Sequence, residues 1–101
     1  MYAGGEIISS TIVVTQIDYI TIATTGNSLS FGNLTQARQG VGACGSPVNA
    51  VFGGGVNYSG GTTYSVIDYV AIPTLSNASN FGSMSTTKGF IGGCSNVHGG
   101  L

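Results

Sequence analysis

The chain has 101 residues, one small domain's worth, and only five are charged: Glu6, Asp18, Arg38, Asp68 and Lys88, for a formal net charge of −1. That 5% share, against roughly 25% in an ordinary soluble domain, leaves no basic footprint for nucleic acid and no like-charge block. A mean hydropathy of +0.34 argues against disorder, and the polar residues are mainly 18 Gly, 12 Ser, 11 Thr and 7 Asn rather than helix-filling Lys and Glu, so the chain reads as all-β.

Taken in chain order, residues 1–5 read as a strand that stops at Gly4-Gly5. The opening MYAGGE has no positive n-region and no apolar h-region, so no signal peptide is expected. Nor does any apolar run approach the ~18 residues needed to span a bilayer. A small-residue strand follows near 39–44 and ends at the Gly45-Ser46-Pro47 turn. The next covers 48–52 and stops at Gly53-Gly54-Gly55. A loop over 57–62 leads into the longest expected strand, 63–72, closed by Pro73. The last strand of this set lies near 81–87. Along 63–72, Val66, Asp68, Val70 and Ile72 share one face, while Ile67, Tyr69 and Ala71 share the other. Both faces are largely apolar, so this sheet is expected to be sandwiched between neighbours.

Displacing the sequence by 50 residues lays it on itself without a gap. Ile17-Asp18-Tyr19 falls on Ile67-Asp68-Tyr69, Phe31-Gly32 on Phe81-Gly82, Gly42 on Gly92 and Cys44 on Cys94. Gly4-Gly5, Ser9, Ile22, Thr24 and Asn27 recur likewise, making 13 identities in 50 positions. Arg38/Lys88, Thr35/Ser85 and Tyr2/Phe52 are conservative pairs. A gapless register of this length indicates duplication.

The recurring order is a diglycine after a strand, a hydrophobic strand with a Tyr, an aromatic, and then a basic residue. It stands here as Gly4-Gly5, Tyr19, Phe31, Arg38 and again as Gly54-Gly55, Tyr69, Phe81, Lys88. This resembles the kelch repeat, although Phe replaces the usual Trp and Ile-Asp-Tyr inverts the usual order of Tyr then Asp. Its wording is similar to kelch-like repeats in structural and tail-fibre proteins of marine tailed phages. The resemblance implies a β-propeller of four-stranded blades, two per chain, in a virion or extracellular setting.

In that strand order, residues 39–88 form a complete blade. Residues 1–38 supply three strands of a split blade, and 89–101 supply the first strand that completes a neighbouring chain. Two blades cannot close a ring, so the chain is expected to be a homo-oligomer. A trimer with six blades is the simplest closure, and a tetramer with eight comes next.

Candidate chemistry is sparse. Cys44 and Cys94 are repeat-equivalent and are expected to be buried, unbridged thiols among small residues. Asp18 and Asp68 recur, as do Arg38 and Lys88, so structural pairing suits them better than acid–base work. His98, four residues after Cys94, lacks the companions of a structural zinc site. The glycine runs match no phosphate-binding spacing, and no nucleophile–base set is visible. No enzyme activity, cofactor or metal is therefore expected. Sequons at Asn33, Asn57 and Asn77 are about as frequent as chance allows in so Ser/Thr-rich a chain. The alternatives to a structural or attachment module are a glycan-binding propeller and a designed or excised two-blade fragment. A glycan would be sought at loops 57–62 and 74–80, with Tyr58 and Tyr64; other virion proteins are the remaining candidate partners.

Overall fold

A computed structural model describes residues 1–7, 12–57 and 61–94. Among them are eleven strands and no helix: β1 (Tyr2–Ala3), β2 (Glu6–Ile7), β3 (Ile12–Val13), β4 (Gln16–Tyr19), β5 (Leu29–Asn33), β6 (Gly42–Gly45), β7 (Asn49–Gly53), β8 (Val56–Asn57), β9 (Thr62–Thr63), β10 (Val66–Ala71) and β11 (Ser79–Ser83). Two sheets carry the architecture. One is three-stranded, in the order β1-β4-β5; the other is four-stranded, in the order β6-β7-β10-β11. Every pairing in them is antiparallel. Two small hairpins, β2-β3 and β8-β9, project from the corresponding connections.

The 50-residue repeat holds at the level of individual pairs. Tyr2 faces Asp18 as Phe52 faces Asp68, and Ala3 faces Ile17 as Gly53 faces Ile67. In both sheets the register between the last two strands skips one residue, Phe31 or Phe81, which is the extra residue of a β-bulge. The diglycines repeat their left-handed geometry, with φ of 72° and 117° at Gly4-Gly5 and 69° and 109° at Gly54-Gly55. A Cβ at Gly4 would strike the Arg38 carbonyl, and one at Gly54 the Lys88 carbonyl, so neither position admits a side chain. The peptide N–H of Gly5 donates to Arg38 O and that of Gly55 to Lys88 O. Thus the diglycine pins the end of its own unit in both copies. Gly40 and Phe90 occupy equivalent left-handed positions, at φ 65° and 54°, so the backbone path survives even where glycine is lost.

Several sequence expectations need correction. The expected long strand 63–72 is broken: Thr62–Thr63 pair back onto Val56–Asn57, and the sheet strand begins only at Val66. The final strand covers Ser79–Ser83 rather than 81–87, because beyond it the chain leaves the β10 ladder and Met84 N and Lys88 N donate instead to Ser65 O and Tyr64 O. The 39–44 strand starts at Gly42, with Gln39 making only an isolated bridge to Val56. Residues 89–94 form no strand, and the rest of the 89–101 segment expected to supply one lies outside the described residues. The turn after β6 is as expected, with Ser46 Oγ accepting from the Val48 and Asn49 amides at 3.3 and 3.0 Å.

The core lies between the two sheets. Ile17, Phe31 and Leu34 of the three-stranded unit pack on Ala50, Phe52 and Val70 of the four-stranded unit. The expected sandwiching therefore holds for one face of each sheet only. Phe31 is 5% exposed whereas its counterpart Phe81 is 69% exposed, and Phe52 is 2% exposed whereas Tyr2 is 64%. Among the described residues each unit buries one face and leaves an aromatic of the opposite face, Tyr2 or Phe81, exposed.

Candidate functional site

A buried polar constellation bridges the two units. Arg38 follows β5, in the segment that leaves the first unit, and its guanidinium enters the second. Asp68 stands on β10 among buried apolar neighbours. Both side chains are fully buried. Arg38 Nη2 lies 2.9 Å from Asp68 Oδ2, the one salt bridge among the described residues. Arg38 Nη1 donates to Val66 O at 3.0 Å, and Nη2 also donates to Phe52 O at 3.3 Å. Thr35 completes the clasp. Its N–H donates to Oδ2 at 2.9 Å, and its hydroxyl lies 2.7 and 2.8 Å from the two carboxylate oxygens.

Arg38 thus meets one carboxylate and two carbonyls through its planar fork, a task that suits guanidinium better than ammonium. Burial lowers the Arg38 pKa from its ordinary value, and the Asp68 carboxylate, followed by Tyr64, pulls it back up. Arg38 Nε has no hydrogen-bond partner among the described residues. Removing either charge would strand the other in the core, at a cost of about 3–5 kcal/mol.

A second seam runs beside the clasp. Asn33 N donates to Asn77 Oδ1 at 3.1 Å, and Ala78 N donates to Asn33 O at 2.8 Å. Gly32 lies so close to the Ser76 carbonyl that a Cβ would overlap it. Part of the 74–80 loop considered for glycan binding is therefore committed to holding the units together.

The repeat-equivalent charges are placed differently. Asp18 is half-buried and accepts from Gln16 Nε2 at 2.7 Å and Ser28 Oγ at 3.4 Å, both from its own unit. Lys88 and Ser85 are exposed. The structure brings Arg38 and Asp68 together but leaves Asp18 and Lys88 apart. Tyr19 and Phe31 stack edge-on at 6.1 Å between centroids, as do Tyr69 and Phe81 at 6.0 Å, so the aromatic signature is a local feature of each unit.

Both cysteines are free thiols, but the expectation of burial is overturned: Cys44 and Cys94 are exposed. Cys44 lies on β6, the edge strand of its sheet, where no neighbouring strand covers it. Among the described residues no three His, Cys, Asp or Glu side chains cluster as metal ligands, and no helix is long and apolar enough to cross a membrane. His98 and Tyr58 lie outside the described residues; Tyr64 is half-buried. An apolar groove of ≈ 440 Å³ separates the units at one end, between Tyr19 and Ile20 on one side and Pro73 and Leu75 on the other.

Thr35 is the functional residue that the sequence reading left without a role. Its signal was present in the Thr35/Ser85 match three residues before the basic position.

The fold and the clasp define an all-β protein built from two copies of one unit. No protein-family model and no curated protein matches the chain.

Proposed function

We propose that the chain is a non-enzymatic β-propeller repeat module, each unit serving as one kelch-like blade, and that copies of it close into a ring. The carrying observation is the manner in which the two units meet. They pack face to face through non-identical surfaces, so the molecule keeps one free face of each kind. A heterologous contact of that sort closes into a ring when the rotation suits. Three chains would supply six blades and four would supply eight. The order β6-β7-β10-β11, a meander of four antiparallel strands, is what such a blade requires. The three-stranded unit lacks the strand equivalent to β6, which a neighbouring copy would supply from residues 92–94 onward.

The biological role that goes with this architecture is structural or attachment service in a phage virion, supported by the resemblance of the repeat wording to phage structural and tail-fibre repeats. Native mass spectrometry of the purified chain tests the assembly: a species of three 10.1 kDa chains is expected. A stable folded monomer at all concentrations would overturn the ring. Detection of the chain among the proteins of purified phage particles tests the role, and its consistent absence from them would overturn it.

A further inference from the structure

We propose that Ser85 and Lys88 of one copy close on Asp18 of the next, repeating between chains the clasp that Thr35 and Arg38 make with Asp68 within one. The proposal rests on the ring reading above and names the contact that would hold it.

Three observations converge on it. The first is register. The residues that carry Arg38 to Asp68 have counterparts at 50-residue spacing in the same local geometry: Arg38 N donates to Val14 O as Lys88 N donates to Tyr64 O, and Leu34 N to Thr15 O as Met84 N to Ser65 O. Ser85 and Lys88 therefore leave their sheet along the same path as Thr35 and Arg38, but emerge into solvent.

The second is space. A Cβ on Gly32 would overlap Ser76 of the opposing unit, whereas a Cβ on Gly82 would meet nothing within 4 Å. In the isolated chain nothing around Gly82 requires a glycine. A second copy placed as the first unit sits on the second would bring residues 26–28 onto Gly82, as residues 76–78 lie on Gly32.

The third is complementarity. Free Phe81, 69% exposed, would meet the free face holding Tyr2, 64% exposed, and Ile20, just as Phe31 meets the face of Phe52 and Val70. The opposed charges are one cation and one carboxylate. Among the described residues Asp18 accepts side-chain hydrogen bonds from Gln16 and Ser28 of its own unit, and a carboxylate offers about four lone-pair sites. With the long 3.4 Å Ser28 contact given up, the Ser85 amide and hydroxyl and the Lys88 ammonium can join Gln16 on those sites.

A charge exchange tests the contact. Lys88→Glu and Asp18→Lys each oppose like charges across the junction, while the double variant restores opposite charges at every junction of the ring. Sedimentation equilibrium should show each single variant assembling at least tenfold more weakly than the parent, with the double variant recovering most of the loss. Both residues are off the core, and circular dichroism checks that each variant folds. If the parent forms a ring that the single variants leave unchanged, or if the double variant recovers nothing, the clasp is wrong while the ring stands. A parent that stays monomeric removes both.

Discussion

Asp68 and Asp18 occupy the same position in two copies of one unit, each mid-strand, each opposite an aromatic residue and each beside the same bulge. Asp68 is fully buried with Thr35 and Arg38 on its carboxylate, whereas Asp18 is half-buried and, among the described residues, held by Gln16 and Ser28. Local sequence sets part of this difference, since Gln16 and Ser28 stand where the second unit has Val66 and Ala78. The difference in burial follows from what stands on the face: the second unit has a sheet against its Asp, and the first has none among the described residues. In a repeat protein each unit contacts only its neighbours, so a unit without one leaves that face uncovered.

The comparison breaks most visibly at the buried charge. Asp68→Ala should destabilise the chain by about 3–5 kcal/mol, because it leaves the Arg38 guanidinium buried without its carboxylate. Asp18→Ala should cost within about 0.5 kcal/mol at dilutions where chains are single. Urea unfolding of both variants under those conditions measures the gap; equal losses would mean that the two sites are not open and closed versions of one contact.

The aromatic pair gives the next contrast. Phe31→Ala removes a core ring and should cost about 3–5 kcal/mol, whereas Phe81→Ala should leave dilute-chain stability nearly unchanged and weaken assembly instead. Sedimentation alongside denaturation separates these effects.

Smaller still is the glycine pair. Gly32→Ala should cost about 1–3 kcal/mol through overlap with the Ser76 carbonyl, while Gly82→Ala should be neutral or slightly stabilising in the single chain. Equal behaviour of the two in thermal melts would place Ser76 elsewhere.

The finest contrast concerns the cation. Arg38 contacts two backbone carbonyls as well as Asp68, and an ammonium cannot reproduce that planar fork. Lys88→Arg should therefore tighten assembly without altering dilute-chain stability. No gain in sedimentation would show that Lys88 does not enter an equivalent site.

The duplication, its 50-residue phase and the punctuation by Gly4-Gly5 and Gly54-Gly55 were legible in the sequence, because glycine identities mark backbone constraints that recur in space. The pairing of Asp with a basic residue was also expected, since a carboxylate in an apolar strand needs a partner. That Arg38 is the partner of Asp68 rather than Asp18 could not be read, because the contact joins different units and depends on which face is covered. Side-chain alternation predicted a continuous 63–72 strand, and it failed at Tyr64-Ser65, where Tyr64 N donates to Gly55 O at the base of the β8-β9 hairpin before the sheet strand begins at Val66. The bulges at Phe31 and Phe81 were invisible for a related reason: alternation counts residues on one strand, and a bulge is a mismatch between two. The thiols were misplaced because small neighbours suggested a packed interior, whereas β6 is an edge strand.

A crystal structure of the assembled protein tests the central claim most directly. It should show copies related by rotation about one axis, head to tail, with Lys88 Nζ of each copy within about 4 Å of an Asp18 carboxylate oxygen of the next, a salt-bridge distance. Copies that meet through a two-fold contact between identical faces, leaving Asp18 and Lys88 in solvent, would contradict it.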